Sequence, residues 1–381
     1  MGFSDFETRA AAAVADGKIA GVVAVVTDRD GLTYDHAVGH RAAGGDIPMD
    51  LDTQFQIASM TKAIASVAAL REVEQGRLTL DEPLWDVLPE FRELQVLEGF
   101  AEDGTPVLRD PVRPVTLRHL LTHTSGFGYS FLDERVAQWL KATGQADALS
   151  GARAAHVQPL MFDPGEAWGY GISTDWVGLD VEAASGQDLH AYTTDHIFAP
   201  LGMVDTTFLP SDDQQARRAS LHVKGPDGAL IPLPVTRGNR PEVWSGGGGL
   251  LGTAPEYTCF VRMLMGDGAG VISPETVKGL NEIQTGDLRA GFFKPASAGT
   301  SLDFDLFPEQ HTGWGLATMV TPDDGRNGRR AGTLTWAGIF NTYYWADQSA
   351  GIGGVLMTQQ LPFGDQAVLE LLEALERGAY A

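Results

Sequence analysis

Ser59 and Lys62 stand three residues apart in "FQIASMTKAIASVAALREVEQG", residues 55–76. If this stretch is helical, residues three apart share a face. A helix N-terminus beside both groups lowers the proton affinity of the amine and stabilises negative charge on the serine oxygen. A lysine desolvated among Ala58, Ala63 and Ile64 is pushed the same way, toward a neutral amine able to accept a proton. The pair therefore reads as a nucleophile and its base. It reads equally as a helix cap and a solvated charge, because Ser-x-x-Lys alone is a weak signal.

Two further stretches carry groups of the same kind. "PGEAWGYGISTDWVGLDVEAASG" places Tyr170 just ahead of a helix beginning near Ser173, and "GTLTWAGIF" places Trp336, Ala337 and Gly338 on a strand. Other candidates are poorer. The Gly-x-Ser-x-Gly elbow of α/β-hydrolases is absent. His119 and His123 in "HLLTH" have the spacing of a zinc pair but lack the glutamate of His-Glu-x-x-His, so no metal is expected. Ser125 lies two residues from His123, a separation at which side chains do not face each other, and reads as part of a turn. "SGGGGLLGT" lacks the Gly-Lys-Ser/Thr ending of a phosphate loop and reads as close backbone approach. Cys259 in "YTCFVRMLM" reads as a buried thiol with no base beside it. The aromatics Tyr129, Phe131, Trp168, Trp244, Phe292 and Phe293 lie in loops near these motifs, as core packing or as the lining of an acyl pocket.

The elements that must position these groups follow from pattern. "GVVAVVT" and "LTYDHAVGH" flank the turn "DRDG" as a hairpin after an N-terminal amphipathic helix. Ile64, Val67, Ala68, Leu70 and Val73 give the Ser59–Lys62 stretch helical spacing, and Gly76 ends it. The middle of the chain, to about residue 204, mixes helical patterns with Gly- and Pro-rich loops and shows few strands. From about residue 245 come a helix, a long aromatic loop over roughly 285–311, the strand-like runs "GWGLATMV", "GTLTWAGIF", "NTYYWADQ" and "GIGGVLMTQQ", and the amphipathic helix "DQAVLELLEALERG". Strands at both ends with helices between predict an α+β fold. An antiparallel sheet assembled from the two termini is flanked by helices and joined to a mainly helical domain. The expected division is 1–60 with 205–381 as the sheet domain and 61–204 as the helical one, the site lying in the cleft between them.

Composition narrows the partners. The 381 residues are 43% hydrophobic and 20% charged, enough for a large core. Fifty acidic against 27 basic residues leave a formal charge of −23, which disfavours nucleic acid and anionic lipid and favours an uncharged small substrate. No apolar run of about 18 residues could span a bilayer, and the N-terminus lacks a basic leader followed by an apolar core. The expected location is cytoplasmic.

"FQIASMTK", "TLRHLLTHTSGFGY", "FDPGEAWGYGISTDWVGLDVE", "PLGMVDTTF", "GGGGLLGTAPEYTCFVRMLM" and "GWGLATMV" follow one another over nearly the whole chain. In that order they resemble the landmarks of the class C branch of the serine β-lactamase and penicillin-binding-protein superfamily. Within that branch the chain resembles the family VIII carboxylesterases, in which Trp-x-Gly, here "WAG", replaces the strand motif Lys-Thr-Gly. The resemblance implies a serine hydrolase that cleaves short-chain carboxylic esters through an acyl-enzyme on Ser59. Lys62 and Tyr170 would share the proton transfers, either one serving as base, and the backbone N–H groups of Ser59 and Ile339 would form the oxyanion hole. Trp336, Gly338, Tyr129 and Ile172 would meet the substrate, and no cofactor or metal would be needed. Ile172 stands where a β-lactamase carries asparagine and Trp336 where it carries lysine, which weighs against β-lactam hydrolysis. A β-lactamase, a D-stereospecific peptidase and an acyltransferase using the same acyl-enzyme are the alternatives. A catalytically silent binding protein is the reading from another class.

Overall fold

The computed structural model describes residues 2–236 and 240–381; the other residues of the expected division, 1 and 237–239, lie outside them. Seven strands build the central sheet: β1 (Gly21–Thr27), β2 (Leu32–Gly39), β3 (Gly313–Trp314), β4 (Met319–Val320), β5 (Leu334–Gly338), β6 (Thr342–Asp347) and β7 (Ile352–Met357). Their spatial order is β3-β4-β5-β6-β7-β1-β2, with every neighbouring pair antiparallel. Val25 of β1 pairs with Val355 of β7, so the two ends of the chain meet inside one sheet, as the sequence pattern requires.

β1, β5 and β6 are buried along their whole length, which a sheet achieves only when both faces are covered. Helices α1 (Ser4–Ala15), α4 (Ala254–Met265) and α5 (Gln366–Ala379) provide that cover. The packing of α4 on β7 is close: a Cβ on Gly353 would lie 2.4 Å from Val261 Cγ1.

Helix α2 (Thr61–Glu74) is buried without a break from Thr61 to Leu70. A helix apolar all round belongs in an interior, and here α3 (Ser173–Ser185) packs along it. This central placement is what takes the amine of Lys62 out of water.

The region read as nearly strand-free holds a hairpin, Val96–Phe100 with Pro106–Arg109. Its Gly104, at φ 83°, makes the reversal. The aromatic loop carries a short pair, Phe292–Phe293 with Phe304–Asp305. "GWGLATMV" is two short strands rather than one, because the chain folds back where the Gly315 N–H donates to the Thr318 carbonyl at 2.9 Å. Among the described residues no helix is long and apolar enough to cross a membrane.

Candidate active site

Ser59 does not lie in the α-helix itself. It occupies a single 3₁₀ turn, Ala58–Met60, immediately before α2. Lys62, three residues on in the first turn of α2, lies over Ser59 on the same side of the turn. The residue before the serine, Ala58, is held at φ 45°, a left-handed conformation that an alanine adopts only when its surroundings impose it. Gly338 explains part of that constraint: a Cβ there would lie 2.3 Å from the Ile57 carbonyl oxygen. The glycine lets β5 press against the turn that presents Ser59.

Lys62 is 1% exposed. Its Nζ donates to the Gly247 carbonyl at 2.6 Å, to Tyr129 Oη at 2.9 Å and to Ser59 Oγ at 3.3 Å. It also sits 4.8 Å from the ring centre of Tyr170 and 5.2 Å from that of Tyr129. Burial lowers its pKa from 10.5 to about 8, against the opposing charge of Asp175. The amine thus titrates close to neutrality, where an ordinary lysine does not.

Tyr170 reaches the same point from the loop ahead of α3. Its hydroxyl is hydrogen-bonded to Ser59 and accepts from Trp336 Nε1 at 2.8 Å. Burial raises its pKa although both of those bonds pull the other way, so the phenol keeps its proton at neutral pH. Gly171 must be glycine here, since a Cβ would lie 2.2 Å from the Phe127 carbonyl oxygen. Around the Tyr170 ring pack His123 at 4.8 Å and Trp336 at 5.1 Å between ring centres, with Phe293 stacked at 5.9 Å. His123 is buried at φ 57°, its Nδ1 without a partner among the described residues. Burial and the nearby Lys62 charge hold its pKa well below the usual histidine value, so it stays neutral.

Ser59, Tyr170, Ile172, Trp336 and Ile339 all open into one cavity of about 610 Å³, together with Tyr129, Phe131, Trp244 and Phe293. Trp168 and Phe292 border a separate, smaller recess. Gly338 lies in the strand between Ala337 and Ile339, its α-carbon turned to Ile57. Ile339 belongs to a turn fixed by Asn341, whose side chain accepts from the Gly364 and Asp365 N–H groups and donates to the Gln360 and Pro362 carbonyls. His119 is spent on a capping box with Thr116, and Ser125 on a hydrogen bond of 2.8 Å to Ser173. Among the described residues no group of three or more His, Cys, Asp or Glu side chains is placed to hold a metal.

Three contacts escaped the sequence. Trp336 was expected only as a wall of the pocket; its N–H is engaged by Tyr170, 166 residues away. Tyr129 was expected as a substrate contact, yet its hydroxyl bonds Lys62. Asp175 was not singled out at all, although it underlies the glycine-rich turn that receives Lys62.

A family model described as beta-lactamase matches residues 6–377. The chain is similar to the lovastatin esterase of Penicillium rubens, 33% identical over 391 residues that span 98% of this chain and 97% of that one. A monacolin J acid methylbutanoyltransferase of Aspergillus terreus is 32% identical over 405 residues, spanning 98% and 95%. Among solved structures, the unliganded selenomethionyl simvastatin synthase of Aspergillus terreus superposes with a TM-score of 0.85 at 29% identity, covering 99% of this chain and 97% of that one.

Proposed function

The chain belongs to the beta-lactamase family, within the serine β-lactamase and penicillin-binding-protein superfamily, and we propose that it is a serine esterase of the family VIII type. It cleaves short-chain acyl esters of bulky apolar alcohols through an acyl-enzyme on Ser59. The observation that carries this reading is the convergence of Lys62 and Tyr170 on Ser59 at the floor of an apolar cavity. The cavity of about 610 Å³ has the size that holds a drug-sized ligand, far more than a short acyl group requires. The alcohol portion fills the remainder. Relatives named for lovastatin ester hydrolysis and methylbutanoyl transfer support a short acyl group on a large partner. We also assign the sheet part (1–60 and 205–381) and the helical part (61–204) to the two walls of this cavity.

Lys62 in its neutral form has two N–H groups, which match the Gly247 carbonyl and Tyr129 Oη, and a lone pair left for the Ser59 hydroxyl proton. Ser59 Oγ then bonds the ester carbonyl carbon as its proton passes to Lys62. The carbonyl oxygen takes the negative charge and is met by the backbone N–H groups of Ser59 and Ile339. When the C–O bond to the alcohol breaks, the Tyr170 hydroxyl protonates the leaving alkoxide, and the Lys62 ammonium restores the Tyr170 proton. Water repeats the sequence in reverse and frees the acid.

The test compares p-nitrophenyl butyrate with nitrocefin. Trp336 supplies no cation for a β-lactam carboxylate, and Ile172 no amide group. The missing charge-assisted bond is worth roughly 1.5–3 kcal/mol and the missing neutral amide bond about 1 kcal/mol, so kcat/KM for the ester should exceed that for nitrocefin by at least about a hundredfold. Equal turnover of the two would return the protein to the β-lactamases. An apolar cavity of this size also admits an alcohol as the acyl acceptor; ester formation from an added apolar alcohol, in competition with hydrolysis, identifies that transferase reaction.

A further inference from the structure

The glycine-rich turn Ser245–Gly249 bears on the chemistry through one carboxylate. Asp175, in the first turn of α3 and 4% exposed, accepts from Ser245 Oγ at 2.6 Å and from the Gly247 N–H at 3.1 Å. The turn can approach only because it has no side chains there. A Cβ on Gly247 would lie 2.5 Å from Asp175 Oδ2, and one on Gly246 2.5 Å from the Thr174 carbonyl oxygen. The carbonyl of that same Gly247 takes the shortest of the three bonds from Lys62. Gly246 and Gly247 of the "SGGGG" run are thus explained by the close approach of Thr174 and the buried Asp175 carboxylate.

We propose that Asp175 is a positioning residue for acyl transfer: it fixes the Ser245–Gly249 turn so that the Gly247 carbonyl aligns the amine of Lys62 on Ser59, and its charge favours the ammonium form that exists between the two proton transfers. The assignment rests on the proposed role of Lys62 as base. The other groups facing Lys62 are Tyr129 and Tyr170, both protonated phenols at neutral pH, and His123, which is neutral. Asp175 is therefore the carboxylate charge acting on this amine, and it opposes the effect of burial.

Asp175→Asn keeps the size and one acceptor while removing the charge. Without that charge burial acts unopposed, so the proton on Lys62 is held less tightly. The low-pH limb of kcat/KM for p-nitrophenyl butyrate should move to lower pH by about one unit, with a plateau lower by on the order of tenfold. A residue that merely braces the turn would lower the plateau and leave the limb in place. The titration of Lys62 is also read without turnover, by NMR of protein carrying 13C-labelled lysine, with Lys62→Met assigning the signal. Gly247→Ala, which drives the turn off Asp175, should shift the same titration downward and serves if Asp175→Asn does not fold. A downward shift by NMR in a protein that hydrolyses no ester would sustain Asp175 and sink the esterase reading. An unshifted Lys62 titration in whichever of these variants folds overturns the proposal.

Discussion

Replacing Trp336 with phenylalanine isolates the indole N–H. That group donates to Tyr170 Oη at 2.8 Å, between a tryptophan 3% exposed and a tyrosine 9% exposed, so no bulk water stands ready to replace it. In the ground state the bond joins neutral partners and is worth about 1 kcal/mol. In the proposed mechanism Tyr170 gives its proton to the leaving alkoxide and its oxygen becomes anionic, and a bond to a charged group is worth about 1.5–3 kcal/mol. Only the interaction made in the transition state changes kcat. The difference between the two states, about 0.5–2 kcal/mol, sets the effect at roughly two- to thirtyfold. The indole also lines the cavity, so KM for p-nitrophenyl butyrate will change with the lost volume, and melting reports the packing defect separately. The expected outcome is a kcat lower by roughly two- to thirtyfold in a protein that still melts cooperatively. A Trp336→Phe enzyme with wild-type kcat would refute the claim that Trp336 acts through Tyr170 and reduce it to a wall of the pocket.

Two other outcomes follow from the same geometry. Burial brings the Lys62 pKa down to about 8, so if the neutral amine is the base as proposed, kcat/KM should rise with pH and level off above about 8, falling tenfold per unit below it. Lys62→Met should abolish that limb and cost about 10² or more in kcat; a flat profile in the wild type would remove Lys62 from the chemistry. Gly338→Ala places a methyl carbon 2.3 Å from both the Ile57 carbonyl oxygen and Thr342 Oγ1. Forcing β5 off the turn that presents Ser59 should lower stability by about 1–3 kcal/mol and activity with it, and an unchanged melting temperature would contradict the close approach.

Local pattern made much of this legible. β1 and β2 showed as β-branched runs around an Asp/Gly turn, and α5 as an apolar stripe. α2 showed as a helix, although its burial on every side came from α3, which no single window reveals. The Val96–Arg109 hairpin was missed because its first strand bulges between Leu97 and Gly99 and its second is half solvated, which breaks the alternation that marks a strand. In the site, Ser59 and Lys62 share one turn and could be paired by spacing. Trp336 with Tyr170, and Asp175 with Gly247, are joined across 166 and 72 residues. Those bonds exist only once β5, α3 and the glycine-rich turn are packed together. The glycines at 171, 246, 247 and 338 were visible in the sequence, but what presses against each of them was not.

The central claim is that Ser59 carries the acyl group, and mass spectrometry tests it directly. Protein quenched during turnover of p-nitrophenyl butyrate, or treated with a fluorophosphonate, should carry one adduct on the peptide containing Ser59, and Ser59→Ala should carry none. An adduct on Ser125 or Ser173 with Ser59 unmodified, or ester hydrolysis that persists in Ser59→Ala, would contradict the account.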